Sequence, residues 1–339
     1  MTDPTTPNTT IYKDTDLTVH LTLNPTTAGH TIATLTPTTN STSSSSSSTS
    51  SRNSKHKPNN LFHLPQETFL HTLLTLRTLT TALQKANTVT RTALITTGGR
   101  SISLLPLHGV SAKWQPITHA TPDFHAQYPG YITSKSAPQM ATPRLNTIRS
   151  SILFAASVLP TSYHADHTFH GGAADDQNLF ARIVRGEHSP QWRVWEDERH
   201  VAFLTPFANT PGFTVVVPRV HLSSDIFSLN ERDYAGLMEA AYTVGRLLIR
   251  AFGVERCGMI FEGFEIDYAH VKLVPIHGFG DDDDDQDYQG QEGLQEPFQE
   301  VYQGYVSSLP GPRVEDVEGV VKMAREIRGL IESEPVGCS

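Results

Sequence analysis

The sequence predicts an α+β fold in which an antiparallel sheet covered by helices is built twice within one chain. Three observations predict it. Blocks of sequence recur in the same order in both halves of the 339 residues. The second half opens with runs rich in Val, Phe and Trp, broken by turn residues, and the first half follows the same pattern. Each then enters a long segment with apolar residues at spacings of three and four. An antiparallel sheet with helices packed on it is the economical way to bury both kinds of apolar face.

The repeat is ordered from end to end. Residues 11 to 32 align without a gap with residues 194 to 215, bringing Asp14 to Asp197, Thr22 to Thr205 and Gly29 to Gly212. Phe62 to Phe69 precede a helical pattern as Phe227 to Tyr234 do, and Leu105, Pro106, Leu107, His108 and Gly109 mirror Val274, Pro275, Ile276, His277 and Gly278. Residues 124 to 134 then match 298 to 308, with Tyr128 and Tyr131 facing Tyr302 and Tyr305, and both copies end in a helix-like segment. Two units follow, at 8 to 155 and 176 to 332, joined by a linker at 156 to 175. The Gly171-Gly172 pair and the absence of an apolar stripe make residues 161 to 174 an expected mobile stretch.

Within the second unit, residues 193 to 204 and 213 to 218 read as strands, joined by a turn carrying Asn209, Pro211 and Gly212. Leu229, Asn230 and Glu231 open a helix with apolar Tyr234, Leu237, Met238, Ala241, Val244, Leu247 and Leu248, ending before Gly253. A strand at 258 to 262 comes next, then the strand that carries His270. Two low-complexity pieces interrupt the pattern. The Ser/Thr tract at 41 to 51, inside an insertion spanning about 38 to 60, has too little apolar area to order itself and is expected as a surface loop. The aspartates at 281 to 285 and 287 are expected to stay solvated, as runs of like charge do, with a divalent cation as the rival reading.

A formal charge of −9 and the lack of a basic stripe argue against nucleic acid as a partner. Two cysteines, Cys257 and Cys338, suit a reducing compartment. The first residues lack the pattern of a secretory leader, and no run approaches the ~18 apolar residues of a membrane span. The expectation is a soluble cytoplasmic protein with no membrane partner, a nuclear location being compatible.

The chemistry concentrates at Tyr268-Ala269-His270-Val271-Lys272-Leu273-Val274-Pro275. Read as a strand, alternation puts Tyr268, His270 and Lys272 on one face and Ala269, Val271 and Leu273 on the apolar backing. This segment resembles the signature of the histidine-triad (HIT) nucleotide hydrolases and transferases, three histidines alternating with apolar residues on a strand. Aligned on Pro275, His270 falls on the central, nucleophilic histidine, while Tyr268 and Lys272 replace the first and third. The match is to a divergent branch, and it implies two HIT-like units packed as an intrachain pseudo-dimer, as in the tandem galactose-1-phosphate uridylyltransferases. A monomer with this internal contact is expected.

The resemblance implies attack by the central histidine on the α-phosphorus of a nucleotide, then discharge of the nucleotidyl-histidine. That needs a neutral imidazole with one nitrogen free, the other donating to a carbonyl. Lys272 would stabilise phosphate charge and Tyr268 would donate to a phosphate oxygen. Carried over position by position, Leu179, Phe180, Ile183 and Phe203 form the apolar base pocket, and Thr205 stands where the family bonds the ribose hydroxyls. His221 supports the site from behind or is structural. His277, matched by His108, is listed with it, although a residue present in both copies is more simply a feature of the fold. Glu265, near the family's phosphate loop, would repel an anion if it faced the site.

The first copy has Ser101 where the second has His270 and lacks the opening helix of 178 to 187, so it reads as a decayed scaffold. The expected function is hydrolysis or transfer at the α-phosphate of a nucleoside phosphate derivative. The partner would be a nucleotide or a nucleotide-derived small molecule, and no cofactor is called for. The alternative is a silent nucleotide binder or interaction scaffold with a vestigial pocket. His164, His167 and His170, three residues apart, are a weak metal motif, and no metal is expected.

Overall fold

The computed structural model describes residues 7–36, 60–111, 123–188, 192–263, 266–278 and 293–333. The Ser/Thr tract, the aspartate run, Glu265 and Cys338 lie outside the described residues. In chain order the elements are β1 (Thr10–Lys13), β2 (Leu17–Leu21), β3 (Thr31–Leu35), α1 (Gln66–Asn87), β4 (Thr92–Thr96), β5 (Ser101–Pro106) and α2 (Thr142–Ala155). They continue as α3 (Leu179–Val184), β6 (Arg193–Glu196), β7 (His200–Leu204), β8 (Thr214–Pro218), α4 (Glu231–Phe252), β9 (Cys257–Phe261), β10 (Val271–Pro275) and α5 (Val317–Ser333). Apart from α3 the second series repeats the first.

All ten strands of the described residues form one sheet, ordered β1-β2-β3-β5-β4-β9-β10-β8-β7-β6 and antiparallel at every step. The order is a palindrome of the two units about the β4–β9 pair. Ile95 lies opposite Ile260, flanked by Leu94 opposite Phe261 and Thr96 opposite Met259. Ile95 also faces Ser103 as Ile260 faces Lys272, and these are corresponding positions. Equivalent residues thus meet each other at the middle of the sheet, where a local two-fold axis must pass. The two units form an α+β pseudo-dimer within one chain.

Local chemistry explains why the halves match. Asp14 accepts the backbone N–H groups of Asp16 at 2.8 Å and Leu17 at 2.7 Å, closing the turn between β1 and β2. Asp197 does the same for Arg199 at 2.7 Å and His200 at 2.6 Å between β6 and β7. An Asp side chain that satisfies turn N–H groups competes with strand continuation. Residues 193 to 204, expected as one strand, are therefore a hairpin. Gly29 and Gly212 both sit at positive φ, 74° and 83°, in the next turn. Beside each, a histidine donates to the residue before that glycine: His108 Nε2 to the Ala28 carbonyl at 3.0 Å and His277 Nε2 to the Pro211 carbonyl at 2.8 Å.

The long helices α1 and α4 pack together, and α4 covers β8, β9 and β10. Asn230 caps α4 by accepting from Asp233 N–H at 3.0 Å, and Gly253 ends it in the left-handed conformation. Gly245 of α4 makes room for the segment that leads into α1, since a Cβ there would stand 2.4 Å from the Phe62 ring. Tyr234 and Tyr242 donate their buried hydroxyls across the interface to the Leu73 and Leu64 carbonyls.

The C-terminal segments are exchanged. Helix α2 ends the first unit yet packs on α4 and β6 of the second, while α5 packs on α1, β1 and β2 of the first. The segments leading to them cross at Thr133 and Ser307, joined by a single bridge. Their hydrogen bonds are reciprocal. His125 N–H donates to Asn209 as Gln299 does to Thr26, Tyr128 to His277 as Tyr302 to His108, and Ala137 to Phe207 as Gly311 to Asn24. Residues 123 to 140 of the first unit are thereby laid along the β7–β8 turn of the second.

The linker is held in place where mobility was expected. Arg193 and Arg219, each 1% exposed, both donate to the Asp166 carbonyl and to Glu196 Oε2. Arg193 also reaches His167 Nδ1 and the Ile183 and Val184 carbonyls, and Arg219 reaches the Thr168 carbonyl. A buried guanidinium needs most of its donors partnered, and the bonds from this pair fix 166 to 168 against the sheet. Replacing Arg193 by Met leaves Glu196 and several carbonyls short of a partner. We expect a loss of about 3 kcal/mol in denaturant unfolding, against roughly 0.5 kcal/mol or less for the exposed Arg232→Met.

Candidate active site

A short helix and a sheet face build the cavity. In the sheet, Phe203 lies opposite Val215 and Val215 opposite Lys272, so these side chains share one face. Helix α3 closes over them. Asn178 caps it by accepting Phe180 N–H at 2.9 Å, and its amide donates to the Asp267 carbonyl at 3.0 Å, tying the helix to the chain just before His270. The resulting cavity, about 230 Å³, is lined by Leu179, Phe180, Ile183, Phe203, Thr205, His270 and Lys272 of the sequence-derived set. Trp192, Phe207, Phe213, Val215 and Ile266 complete an apolar, aromatic wall.

His270 is 5% exposed and precedes β10 rather than lying within it. Its Nδ1 lies 2.7 Å from the Tyr268 carbonyl, which can only accept, so Nδ1 carries the proton and Nε2 keeps its lone pair. Burial, and next the Lys272 charge, lower its pKa from 6.5 to about 4, so the ring is neutral at pH 7. The Phe180 ring packs against it edge-on, centroids 5.1 Å apart.

Lys272 lines the cavity with its charge compensated. Its Nζ lies 2.9 Å from Glu262 Oε1, and Tyr302 donates to Glu262 Oε2 at 2.8 Å. Glu262 is 8% exposed. Such a carboxylate persists only with partners of this kind.

Three of the named residues lie elsewhere. Tyr268 is fully buried, and its hydroxyl donates to the Pro218 carbonyl at 2.7 Å, so it offers no donor to a phosphate. The strand alternation that put it beside Lys272 fails because regular pairing starts at Val271. Its carbonyl is what orients His270. His221 stacks on the Tyr268 ring at 4.7 Å, bonds the Asp176 carboxylate through Nδ1, and donates from Nε2 to the Asp267 carbonyl at 2.7 Å. It thus ties the start of α3 to the His270 segment from behind the cavity. His277, expected with the site, instead sets the β7–β8 turn as His108 sets its counterpart. In the linker, His170 Nε2 meets the Glu198 carbonyl and His167 meets Arg193, which separates the spaced histidines.

Sequence reasoning missed one wall. Ser134, Lys135 and Ser136 of the first unit also line the cavity, carried there by the exchanged segment. The repeated Tyr128 and Tyr302 blocks marked the segment, but nothing local says which unit it covers. Glu262 was missed as well, being next to the turn glycine Gly263 and on a different strand arm from Lys272.

No protein-family model matches the chain. Among curated proteins it is 26% identical over 106 residues to a HIT-like protein of Mesomycoplasma hyorhinis, covering 30% of this chain and 94% of that one. It is also 26% identical over 108 residues to the protein hit of Bacillus subtilis, covering 30% and 73%. Among solved structures, a GalT-like protein from Arabidopsis thaliana aligns over 92% of this chain and 84% of its own, with 10% identity and a TM-score of 0.44. These relatives support a place for the chain in the histidine-triad superfamily. No helix among the described residues is long and apolar enough to cross a membrane.

The buried neutral imidazole has a thermodynamic signature. His270 takes up a proton near pH 6.5 when unfolded and only near 4 when folded. Its contribution to stability is whole above pH 6.5 and is lost as pH falls towards 4, because the unfolded chain then binds the extra proton. His30, also buried and lowered to about 3, acts in the same sense. Melting curves between pH 7 and 4.5 should show a falling Tm, with a shallower fall in His270→Asn.

Proposed function

We propose that the chain is a hydrolase or nucleotidyl transferase acting at the α-phosphate of a nucleoside phosphate derivative through His270. The observation that carries this is a neutral imidazole whose Nε2 lone pair is free, at the inner wall of an aromatic cavity. The base would lie among Leu179, Phe180, Ile183 and Phe203, where ring faces give sequence-tolerant stacking. Thr205 offers the ribose a single hydroxyl.

In the first step Nε2 attacks the α-phosphorus and the bond to the leaving oxygen breaks, that oxygen taking the electron pair. In the second, water or another acceptor attacks phosphorus, the N–P bond breaks, and Nε2 regains its lone pair while the acceptor releases a proton. Lys272 stands in place of a third imidazole, and an ammonium tied to Glu262 is a poor proton donor. A phosphate leaving group departs as a stable anion, so phosphoanhydrides suit this site better than amidates. The compensated charge of Lys272 also favours a second reading, binding without turnover.

The first unit, 8 to 155, serves as a catalytically silent partner, followed by a linker at 156 to 175 and the active unit at 176 to 332. Ser101 replaces His270, and the wall positions of Phe203 and Phe213 are taken by His20 and His30. We expect a monomer of 37.3 kDa by light scattering, because the β4–β9 contact is already used within the chain. A mass of two chains would contradict it.

Turnover of dinucleotide and nucleotide-sugar anhydrides should fall by about 10³-fold or more in His270→Ala, while Ser101→Ala stays near wild type. Quench-flow with labelled nucleotide should trap an acid-labile adduct. With the pKa lowered to about 4, the rate should show no acid limb near pH 6.5. Undiminished turnover in His270→Ala ends this mechanism; tight binding with no turnover in the wild type leaves the binder reading.

A further inference from the structure

The cavity's charge balance leaves one cation to explain. His270 is neutral and the Lys272 charge is answered by Glu262. Lys135 also lines the cavity, and among the described residues it pairs with no carboxylate. Its ammonium instead sits 4.0 Å from the centroid of the Tyr305 ring. An aromatic face steadies a cation without neutralising it, and the Tyr305 hydroxyl is turned away to Glu296 at 2.6 Å.

The backbone beneath Lys135 is fixed. The buried Asn209 amide donates to both the Thr133 and Lys135 carbonyls at 2.8 Å, and Ala137 N–H donates to the Phe207 carbonyl at 2.9 Å. Asn209 and Phe207 belong to the β7–β8 turn of the second unit, so that turn itself docks the foreign lysine at the cavity.

The pseudo-symmetry supplies a control. Ile132 N–H donates to Ser308 Oγ as Val306 N–H donates to Ser134 Oγ, both at 2.9 Å. Lys135 N–H donates to Thr133 Oγ1 at 3.3 Å as Leu309 N–H donates to Ser307 Oγ at 3.2 Å. Leu309, buried, is therefore the counterpart of Lys135. The cation occurs only on the segment that covers the His270 cavity, and the segment covering the first unit carries an apolar residue in its place. A role in folding alone would make the same demand of both copies.

Building on the nucleotide reading above, we propose that Lys135, delivered by the first unit, is the specificity residue that answers the ligand's phosphate charge in the second unit's cavity. The first unit then contributes to the site directly and does more than support it.

The test is calorimetric titration of the full chain with AMP and GMP and with the uncharged adenosine and guanosine, for wild type, Lys135→Leu and Lys135→Arg. Wild type should prefer a monophosphate to its nucleoside. Lys135→Leu should weaken the monophosphate by roughly 10- to 100-fold, the loss of one charge-assisted hydrogen bond, leave the nucleoside within about twofold, and be rescued by Lys135→Arg. Equal loss for both ligands would show that Lys135 is only part of the wall and overturn the inference. So would unchanged monophosphate affinity in Lys135→Leu, which would leave the nucleotide reading standing. If the wild type binds none of the four, that reading falls and this inference falls with it.

Discussion

The antiparallel pairing of β4 with β9 is the constraint on which the rest of the molecule depends. Each unit alone would end in an exposed strand with unpaired N–H and C=O groups, the edge that invites association. Ile95 meeting Ile260 joins the two edges and makes a single sheet. Once that axis is set, each C-terminal segment lies within reach of the other unit. The reciprocal bonds from Tyr128 to His277 and from Tyr302 to His108 show both segments using it.

That exchange is also where symmetry and function part. The backbone contacts remain paired down to single hydrogen bonds, because backbone donors and acceptors must be satisfied whatever the side chains become. Side chains at the same positions are free to diverge. Phe203 and Phe213 wall the cavity where the first unit has His20 and His30, His270 stands opposite Ser101, and Lys135 opposite Leu309.

Around His270 the arrangement favours one protonation state. The Tyr268 carbonyl holds the proton on Nδ1, burial keeps the ring neutral, and Glu262 limits the field of Lys272. Behind it, Asp176, His221 and Tyr268 tie the start of α3 to the segment preceding β10. The apolar wall and the imidazole are positioned by the same few contacts.

The sequence by itself determined the repeat, the class of fold, most of the elements and much of the apolar wall. Those features are written in periodicity and in turn residues such as Asp14, Asp197, Gly29 and Gly212, whose effects are local. The sequence also singled out His270, through a motif whose neighbours are contiguous. Only the tertiary structure decided the rest. Tyr268 alternates correctly on paper, but its hydroxyl is taken by Pro218, a residue 50 positions away. The linker looks mobile until Arg193 and Arg219, buried by the fold, find its carbonyls. Glu262 and Lys272 become a pair only when β9 lies beside β10. Lys135 reaches the cavity only because the units exchange their C-terminal segments. Each of these depends on a contact between groups distant in sequence, and no local pattern encodes which distant group will be near.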